Sequence, residues 1–468
     1  MMPLHDDDKM HEECGVFGII GSDAAASHVA LGLHALQHRG QEAAGIVSTD
    51  GQQFYAERAL GLVGDTFADS AVIRRLIGQA AIGHVRYATT GATILRNVQP
   101  LFAELTFGGF ALAHNGNLTN ALTLRKQLIA QGSIFQATTD TEVIIHLMAH
   151  SKASDVAERL IDALKQVTGA YSLVCLTENT ILGVRDPAGV RPLVLGRLHG
   201  APILASETCA LEIIGATLER DVAPGEMVIL HADGRVESRL PFAPHPSRFC
   251  IFEYVYFARP DSELDKKSVY AVRRRIGAEL AFEAPTEADV IIPVPDSGVP
   301  AAIGYAQAAA IPFELGIIRN HYVGRTFIQP TDHIRHLGVR LKHSPNRAEL
   351  QGKRVVLVDD SIVRGTTSVK IVEMVRAAGA REVHMRIASP PTMNPCFYGI
   401  DTPSKDKLLA SRMSVEEMRQ FIGADSLAFL SLDGLYRAVG EAKRNNEMPQ
   451  YCDACFSGEY PLPLIDNQ

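Results

Sequence analysis

No window of about 18 uninterrupted apolar residues occurs in this chain of 468 residues. The closest, 301–318, is broken by Gly304, Gln307, Pro312 and Glu314, so a membrane-spanning helix is not expected. Basic charge is also in short supply. Lys and Arg number 45 against 53 for Asp and Glu, a net charge of -8, which removes the electrostatic footprint of a nucleic-acid binder. The common nucleotide loops are missing, because neither G-x-x-x-x-G-K-[ST] nor any G-x-G is present. The first thirteen residues, MMPLHDDDKMHEE, lack a basic region followed by an apolar stretch and do not read as a secretory signal. Cysteine is sparse and odd in number, at seven. In a cytoplasmic chain, which this is expected to be, thiols stay reduced and serve metals or catalysis.

What is present is globular: 46% apolar and 21% charged residues over a length that suits two domains rather than one. From Gly15 to about Arg239 short β-type runs dominate, among them GVFGII, AAGIVST, GGFALAHNGNL and YSLVCLT. Two helical stretches interrupt them, near Ala24 to His38 and near Thr141 to Met148. Strands with few helices predict stacked sheets covered by helices, an α+β domain over 14–240. Proline density rises at PFAPHPS, 241–247, which places a boundary there. Beyond it, over 248–468, DVIIPVP and KRVVLVDD are continuous apolar runs ending in acidic residues, as buried parallel strands of an α/β domain do. The stretch from about Ser404 reads as a polar helical tail ending in YCDACFSGEYP.

The strongest local signal is VVLVDDSIVRGTTS, 355–368. A strand delivers Asp359 and Asp360 to a sheet edge, where open α/β folds bind ligands. Gly365 then lets the backbone turn closely, and Thr366, Thr367 and Ser368 add hydroxyl donors beside the free N–H groups of a helix start. That is a cradle for a phosphate monoester. Two carboxylates would repel the phosphate itself, so they suit ribose hydroxyls or a divalent cation.

Cys14 opens the first strand in ECGVFGI. A thiol needs a base, and no histidine partner can be assigned from sequence. If the Glu13–Cys14 bond is cut, the cysteine's own α-amine, with a reference pKa of about 8, becomes that base. Residues 1–13 would then be a leader peptide removed on maturation. Four further thiols, Cys250, Cys396 and the C-x-x-C pair Cys452 and Cys455, suit either tetrahedral zinc or an iron–sulfur cluster. Cys175 and Cys209 remain as core or helix residues.

Two motif sets carry a family resemblance. VVLVDDSIVRGTTS resembles the 5-phosphoribosyl-1-pyrophosphate (PRPP) signature of type I phosphoribosyltransferases, with VIIPVPDSGVP as the neighbouring strand and loop. The resemblance implies PRPP contacts from Asp359, Asp360, Ser361, Arg364, Gly365, Thr366, Thr367, Ser368, Ser297 and Gly298, and Mg²⁺ held by Ser297, Asp359 and Asp360. RNHYVGRTFIQP, 319–330, is similar to the loop that closes over PRPP and completes a water-poor ammonia channel, with Arg319 and Arg325 toward the pyrophosphate. LQHRGQEAAGI, HVRYATTG, AHNGNLTN and TTDTEVI together resemble the glutaminase domain of class II, N-terminal-nucleophile amidotransferases, a four-layer αββα sandwich. By that resemblance Cys14 is the nucleophile, Arg86 binds the glutamine α-carboxylate and Asp140 the α-ammonium. Asn115 and Gly116 form the oxyanion hole, and Arg39 and Gly40 shape the glutamine site. Both sets in this order resemble glutamine PRPP amidotransferases, in the branch with a leader peptide and a [4Fe-4S] cluster on Cys250, Cys396, Cys452 and Cys455. That family further implies a homotetramer inhibited by purine nucleotides.

Overall fold

The computed structural model describes residues 14–87, 94–320 and 343–466. Thirteen strands occupy the first half of these residues: β1 (Gly15–Ile20), β2 (Ala43–Thr49), β3 (Phe54–Leu60), β4 (Ala80–Arg86), β5 (Leu101–Leu105), β6 (Gly108–Leu118), β7 (Gly169–Leu176), β8 (Thr180–Arg185), β9 (Val194–Leu198), β10 (Ala201–Ala205), β11 (Thr217–Asp221), β12 (Met227–His231) and β13 (Val236–Arg239). They form a seven-stranded sheet in the order β11-β9-β10-β1-β4-β2-β3 and a six-stranded sheet in the order β13-β12-β8-β7-β6-β5.

Alternation along each strand decides which layers meet. In β1, Val16 and Ile20 join Ala111, Ala113, Val174 and Leu204 in the core between the two sheets. Phe17 and Ile19 point the other way and pack with Val29 and Leu33 of the helix Ala25–Ala35. On the far side, Leu112, Leu173 and Leu182 pack against the helices Ala121–Ala130, Glu142–His150 and Val156–Leu164. The result is the expected four-layer αββα sandwich. Glycine makes the layers close: a Cβ on Gly18 would sit 2.8 Å from Val174 of the opposite sheet, and one on Gly83 would sit 2.4 Å from Val29. The helices Ala121–Ala130 and Val156–Leu164 were not evident from sequence. Their faces show only once Leu124, Leu128, Leu160 and Ile161 are seen packed together.

No strand or helix lies between Arg239 and Phe249. The second half holds a four-stranded parallel sheet in which Val290–Pro293 and Arg354–Asp359 are neighbours, followed by Glu382–Ile387 and Ser426–Phe429. Alternation again sorts the faces: Val355 and Leu357 pack with Ile371 and Val375, whereas Val356 and Val358 pack with Tyr305 and Ile276. The expected helical tail needs correction, because Ser426–Phe429 completes this sheet between the helices Val415–Ile422 and Leu432–Ala438. Four residues are too few to show a period of two.

One buried cluster runs from Phe17 and Leu33 through Phe252 and Tyr254 to Ile276 and Tyr305. The two halves therefore share a core rather than touching through a polar surface. Among the described residues no helix is long and apolar enough to cross a membrane.

Candidate active site

The antiparallel pairing of β1 with β4 sets Gly15 opposite Val85, and continuing that register places Cys14 beside Arg86 at the strand end. Arg86, Asp140 and Arg39 all lie within electrostatic reach of the thiol. Burial pushes the Cys14 thiol up to about 11, with the Asp140 charge pushing the same way and Arg86 and Arg39 opposing. Its Sγ donates to the Tyr87 carbonyl at 3.6 Å. Among the described residues no histidine or carboxylate hydrogen-bonds the thiol. His84 Nε2 donates instead to the His114 carbonyl (3.0 Å), and His114 Nδ1 faces Thr141 Oγ1 (3.1 Å). Burial thus favours the neutral thiol, and among the described residues no imidazole is bonded to it.

Asp140 is anchored from both sides: Oδ2 accepts from Leu118 N (2.9 Å) and Oδ1 from the Thr141 hydroxyl (3.3 Å). Asn115 and Gly116 sit on β6, paired with Ser172 and Tyr171 of β7. Asn115 is fully buried, and neither its amide nitrogen nor its oxygen has a hydrogen-bond partner among the described residues. Leaving such a group unsatisfied costs about 1–3 kcal/mol. Gly116 has φ +145°, and a Cβ there would lie 2.0 Å from the Ala170 carbonyl, so no other residue fits without moving β7.

Arg39 has long-range partners that its sequence neighbours do not announce. Its guanidinium is filled by Glu207 (2.5 Å) and by both oxygens of Glu253 (2.7 and 3.0 Å), and its Nε donates to the Cys14 carbonyl (3.3 Å). Burial works against its charge, but the two glutamates hold it protonated. It thereby holds the Cys14 main chain. Gly40 is needed for closeness, since a Cβ would lie 2.7 Å from the backbone of Arg86. Sequence reading missed Glu207, Glu253 and Arg191. A lone carboxylate inside the apolar run CIFEYVYFA was the available signal for Glu253.

His84 makes the site acid-sensitive. Burial pushes its imidazole down to about 3, with the Arg86 and His114 charges adding to the effect. Between pH 6.5 and 3 the unfolded chain takes up a proton that the folded one refuses, so stability falls by ~1.4 kcal/mol per pH unit as pH drops through that window. Unfolding measured from pH 7 to 5 should show wild type losing stability more steeply than His84→Asn; parallel profiles would exclude a neutral buried His84.

At the second site the strand ends in Asp359 and Asp360, both almost fully buried. Asp360 N donates to Asp359 Oδ1 (2.9 Å) and the Ser361 hydroxyl to Asp360 Oδ1 (2.6 Å). Gly365, at φ +82°, is followed by the helix Thr366–Ala377, which begins with the three predicted hydroxyl residues. A Cβ on Gly365 would meet Leu409 at 2.6 Å. The 297–298 turn comes to the same edge: Val294 N donates to the Val358 carbonyl (2.8 Å), and a Cβ on Gly298 would lie 2.4 Å from that oxygen. Arg319 pairs with Asp296. Arg364 is half-buried beside the loop. Arg325, with most of the 319–330 segment, lies outside the described residues, as do residues 1–13.

The four remaining thiols are drawn together from distant segments. Phe249–Cys250 pairs in parallel with Tyr451–Cys452, setting Cys250 opposite Cys452. Cys455 follows one turn later, its carbonyl accepting from Met393 and Asn394 N, and each of Cys250, Cys452 and Cys455 lies in the field of Cys396. Tyr398 N donates to Cys396 Sγ (3.3 Å). Among the described residues no three His, Cys, Asp or Glu form a ready single-ion site. Cys175 and Cys209 are buried in a strand and a helix, as expected.

A buried thiol on a double-sheet sandwich, followed by a carboxylate pair and a hydroxyl-rich helix start on a parallel sheet, fits a glutamine amidotransferase joined to a phosphoribosyltransferase. A glutamine amidotransferase domain profile matches 84–212 and a phosphoribosyl transferase domain profile matches 262–388. The amidophosphoribosyltransferase of Rhizobium etli is 60% identical over 466 residues, covering 98% of this chain and 94% of that protein. The Bacillus subtilis amidophosphoribosyltransferase is 50% identical, covering 98% and 96%. The solved structure of B. subtilis glutamine PRPP amidotransferase complexed with ADP and GMP superposes with a TM-score of 0.91 at 49% identity, covering 96% of this chain and 98% of that one. The chain belongs to the amidophosphoribosyltransferase family.

Proposed function

We propose that this chain makes 5-phospho-β-D-ribosylamine from glutamine and PRPP by two half-reactions, the first step of de novo purine synthesis. The observation that carries the reading is the presence of both sites on sheets that share one buried core. In the first half-reaction Cys14 attacks the glutamine amide, Arg86 pairs with the α-carboxylate and Asp140 with the α-ammonium. The Asn115 amide and Gly116 N–H stabilise the oxyanion. Ammonia leaves, and water cleaves the Cys14 thioester to glutamate. In the second, ammonia attacks C1 of PRPP and displaces pyrophosphate with inversion. Asp359 and Asp360 hold the ribose hydroxyls, while the loop from Ser361 to Ser368 holds the 5-phosphate. Mg²⁺ held by Asp359, Asp360 and Ser297 would offset charge on the leaving group. Only unprotonated ammonia is nucleophilic, so a water-poor route must join the sites.

The α-amine is proposed as the base for Cys14, which requires loss of residues 1–13. The boundary near 241–247, a cytoplasmic homotetramer and inhibition by purine nucleotides belong to the same reading. The B. subtilis relative solved with ADP and GMP supports the last of these. PRPP-dependent release of glutamate and pyrophosphate from anaerobically purified protein tests the reaction; glutamate release indifferent to PRPP, with no pyrophosphate, would refute it.

A [4Fe-4S] cluster is proposed on Cys250, Cys396, Cys452 and Cys455, supported by the Cys250–Cys452 pairing and the peptide N–H on Cys396 Sγ. Neither half-reaction transfers electrons, so its part is to tie the end of the chain to the body. Cys452→Ser should abolish the broad visible absorption and destabilise the tail. Stoichiometric zinc in place of iron and sulfide would rule the cluster out.

A further inference from the structure

A turn of the second half, 397–399, rests against strand β6 of the first half where that strand carries Gly116, and no step above uses the contact. Gly399 is buried at φ +113°, and the atoms nearest a Cβ built on it all belong to Gly116: Cα at 2.9 Å, C at 3.1 Å and O at 3.4 Å. The next residue along β6, Asn117, donates from Nδ2 to the Phe397 carbonyl at 2.9 Å, across 280 positions of sequence. Gly116 thus makes one close approach to β7 and a second to Gly399, and glycine at positive φ on both sides lets the main chains meet. The turn is itself held. The Tyr398 hydroxyl donates to the Leu462 carbonyl (2.6 Å) and accepts from Leu462 N (3.0 Å), and the Tyr460 hydroxyl donates to the Pro395 carbonyl (2.6 Å). The residues that follow close onto the end of β6: the Thr119 hydroxyl donates to the Pro463 carbonyl (2.7 Å), and the Asp466 carboxylate accepts from Leu122 N (2.7 Å) and Thr123 N (3.1 Å) at the start of the helix Ala121–Ala130.

We propose that Asn117 and Gly399 are positioning residues for the oxyanion hole, holding the Gly116 N–H where negative charge develops on the glutamine amide oxygen. The inference rests on the glutaminase reading above. A donor stabilises the oxyanion only when it is aimed at the place that oxygen takes, and Gly116 has no side chain whose packing could fix its own peptide. The Asn117 hydrogen bond to Phe397 and the Gly399 main chain supply that constraint from the second half. A fixed donor favours the tetrahedral intermediate over bound glutamine, so the effect falls on kcat rather than KM.

The test compares anaerobically purified full-length protein as wild type, Asn117→Ala, Gly399→Ala and Asn115→Ala. The probe is the γ-aldehyde analogue of glutamine: the Cys14 sulfur adds to its carbonyl carbon, the π pair moves to oxygen and the thiol proton passes to the base, giving a tetrahedral adduct whose oxygen occupies the oxyanion hole. Glutamate, which forms no such adduct, is the control ligand. Asn117→Ala and Gly399→Ala should weaken aldehyde inhibition about tenfold and leave glutamate inhibition within about twofold. Their glutamine-dependent kcat should fall about tenfold with KM nearly unchanged, while ammonia-dependent synthesis persists and reports an intact fold. Asn117→Gln keeps the donor on a longer arm and should fall between Asn117→Ala and wild type. Wild-type aldehyde inhibition of Asn117→Ala overturns the proposal, as does equal weakening of aldehyde and glutamate, and both outcomes are readable even where Gly399→Ala fails to accumulate. Undiminished aldehyde inhibition of Asn115→Ala, or none of wild type, would instead sink the glutaminase reading.

Discussion

Cys14→Ala loses glutamine-dependent synthesis by more than about 10⁴-fold and keeps the ammonia-dependent reaction within about a factor of two. The asymmetry follows from the placement of the thiol. It lies at the strand end with Arg86 and Asp140, and the groups proposed to hold PRPP belong to a different sheet. Because burial holds the thiol up at about 11, ionisation at neutral pH needs a base, and the described residues offer no imidazole or carboxylate bonded to it. A peptide-bonded nitrogen is not basic, so the proposed α-amine mechanism requires cleavage before Cys14 to precede glutaminase activity. Mass spectrometry of the active enzyme decides this point: full glutamine-dependent activity in a population retaining residues 1–13 would eliminate the α-amine mechanism.

Asp359→Asn and Asp360→Asn fail with either nitrogen donor. Both carboxylates sit at the sheet edge, almost fully buried, with Asp360 N and the Ser361 hydroxyl bonded to them. The amide keeps these contacts and the shape but removes the charge that would hold metal and ribose. A loss of ~10²–10³ in PRPP turnover, roughly 3–4 kcal/mol of transition-state stabilisation, is expected with glutamine and with added ammonium alike. Wild-type turnover of PRPP with ammonium by either variant would show that the acidic pair is not the ribose and metal site.

The acidic pair and the hydroxyl run were legible because the proposed phosphate loop is contiguous: strand, turn and helix start fall within fourteen residues, and each needs particular side chains. Cys14, Arg86, Asn115 and Asp140 were legible only as a set in order, since each alone has an ordinary structural role. Arg39 was assigned from its neighbours in sequence to the glutamine site, and its partners Glu207 and Glu253 lie 168 and 214 residues away. No local pattern carries such a distance. The strand Ser426–Phe429 was hidden for a different reason, being too short to display a period.

Sequence by itself determined the chemistry available to this protein: a thiol at the head of the first strand, a carboxylate pair before a hydroxyl-rich turn, four spare cysteines, and alternation that demands stacked sheets. Tertiary structure alone decided which of these groups meet. It set Cys250 opposite Cys452, left the Asn115 amide buried with no partner among the described residues, and closed Arg39, Glu253 and Arg191 into one line between the halves. The physical reason is that motif chemistry is written in neighbouring residues, whereas charge pairing in a low-dielectric core is a property of the distances that folding creates.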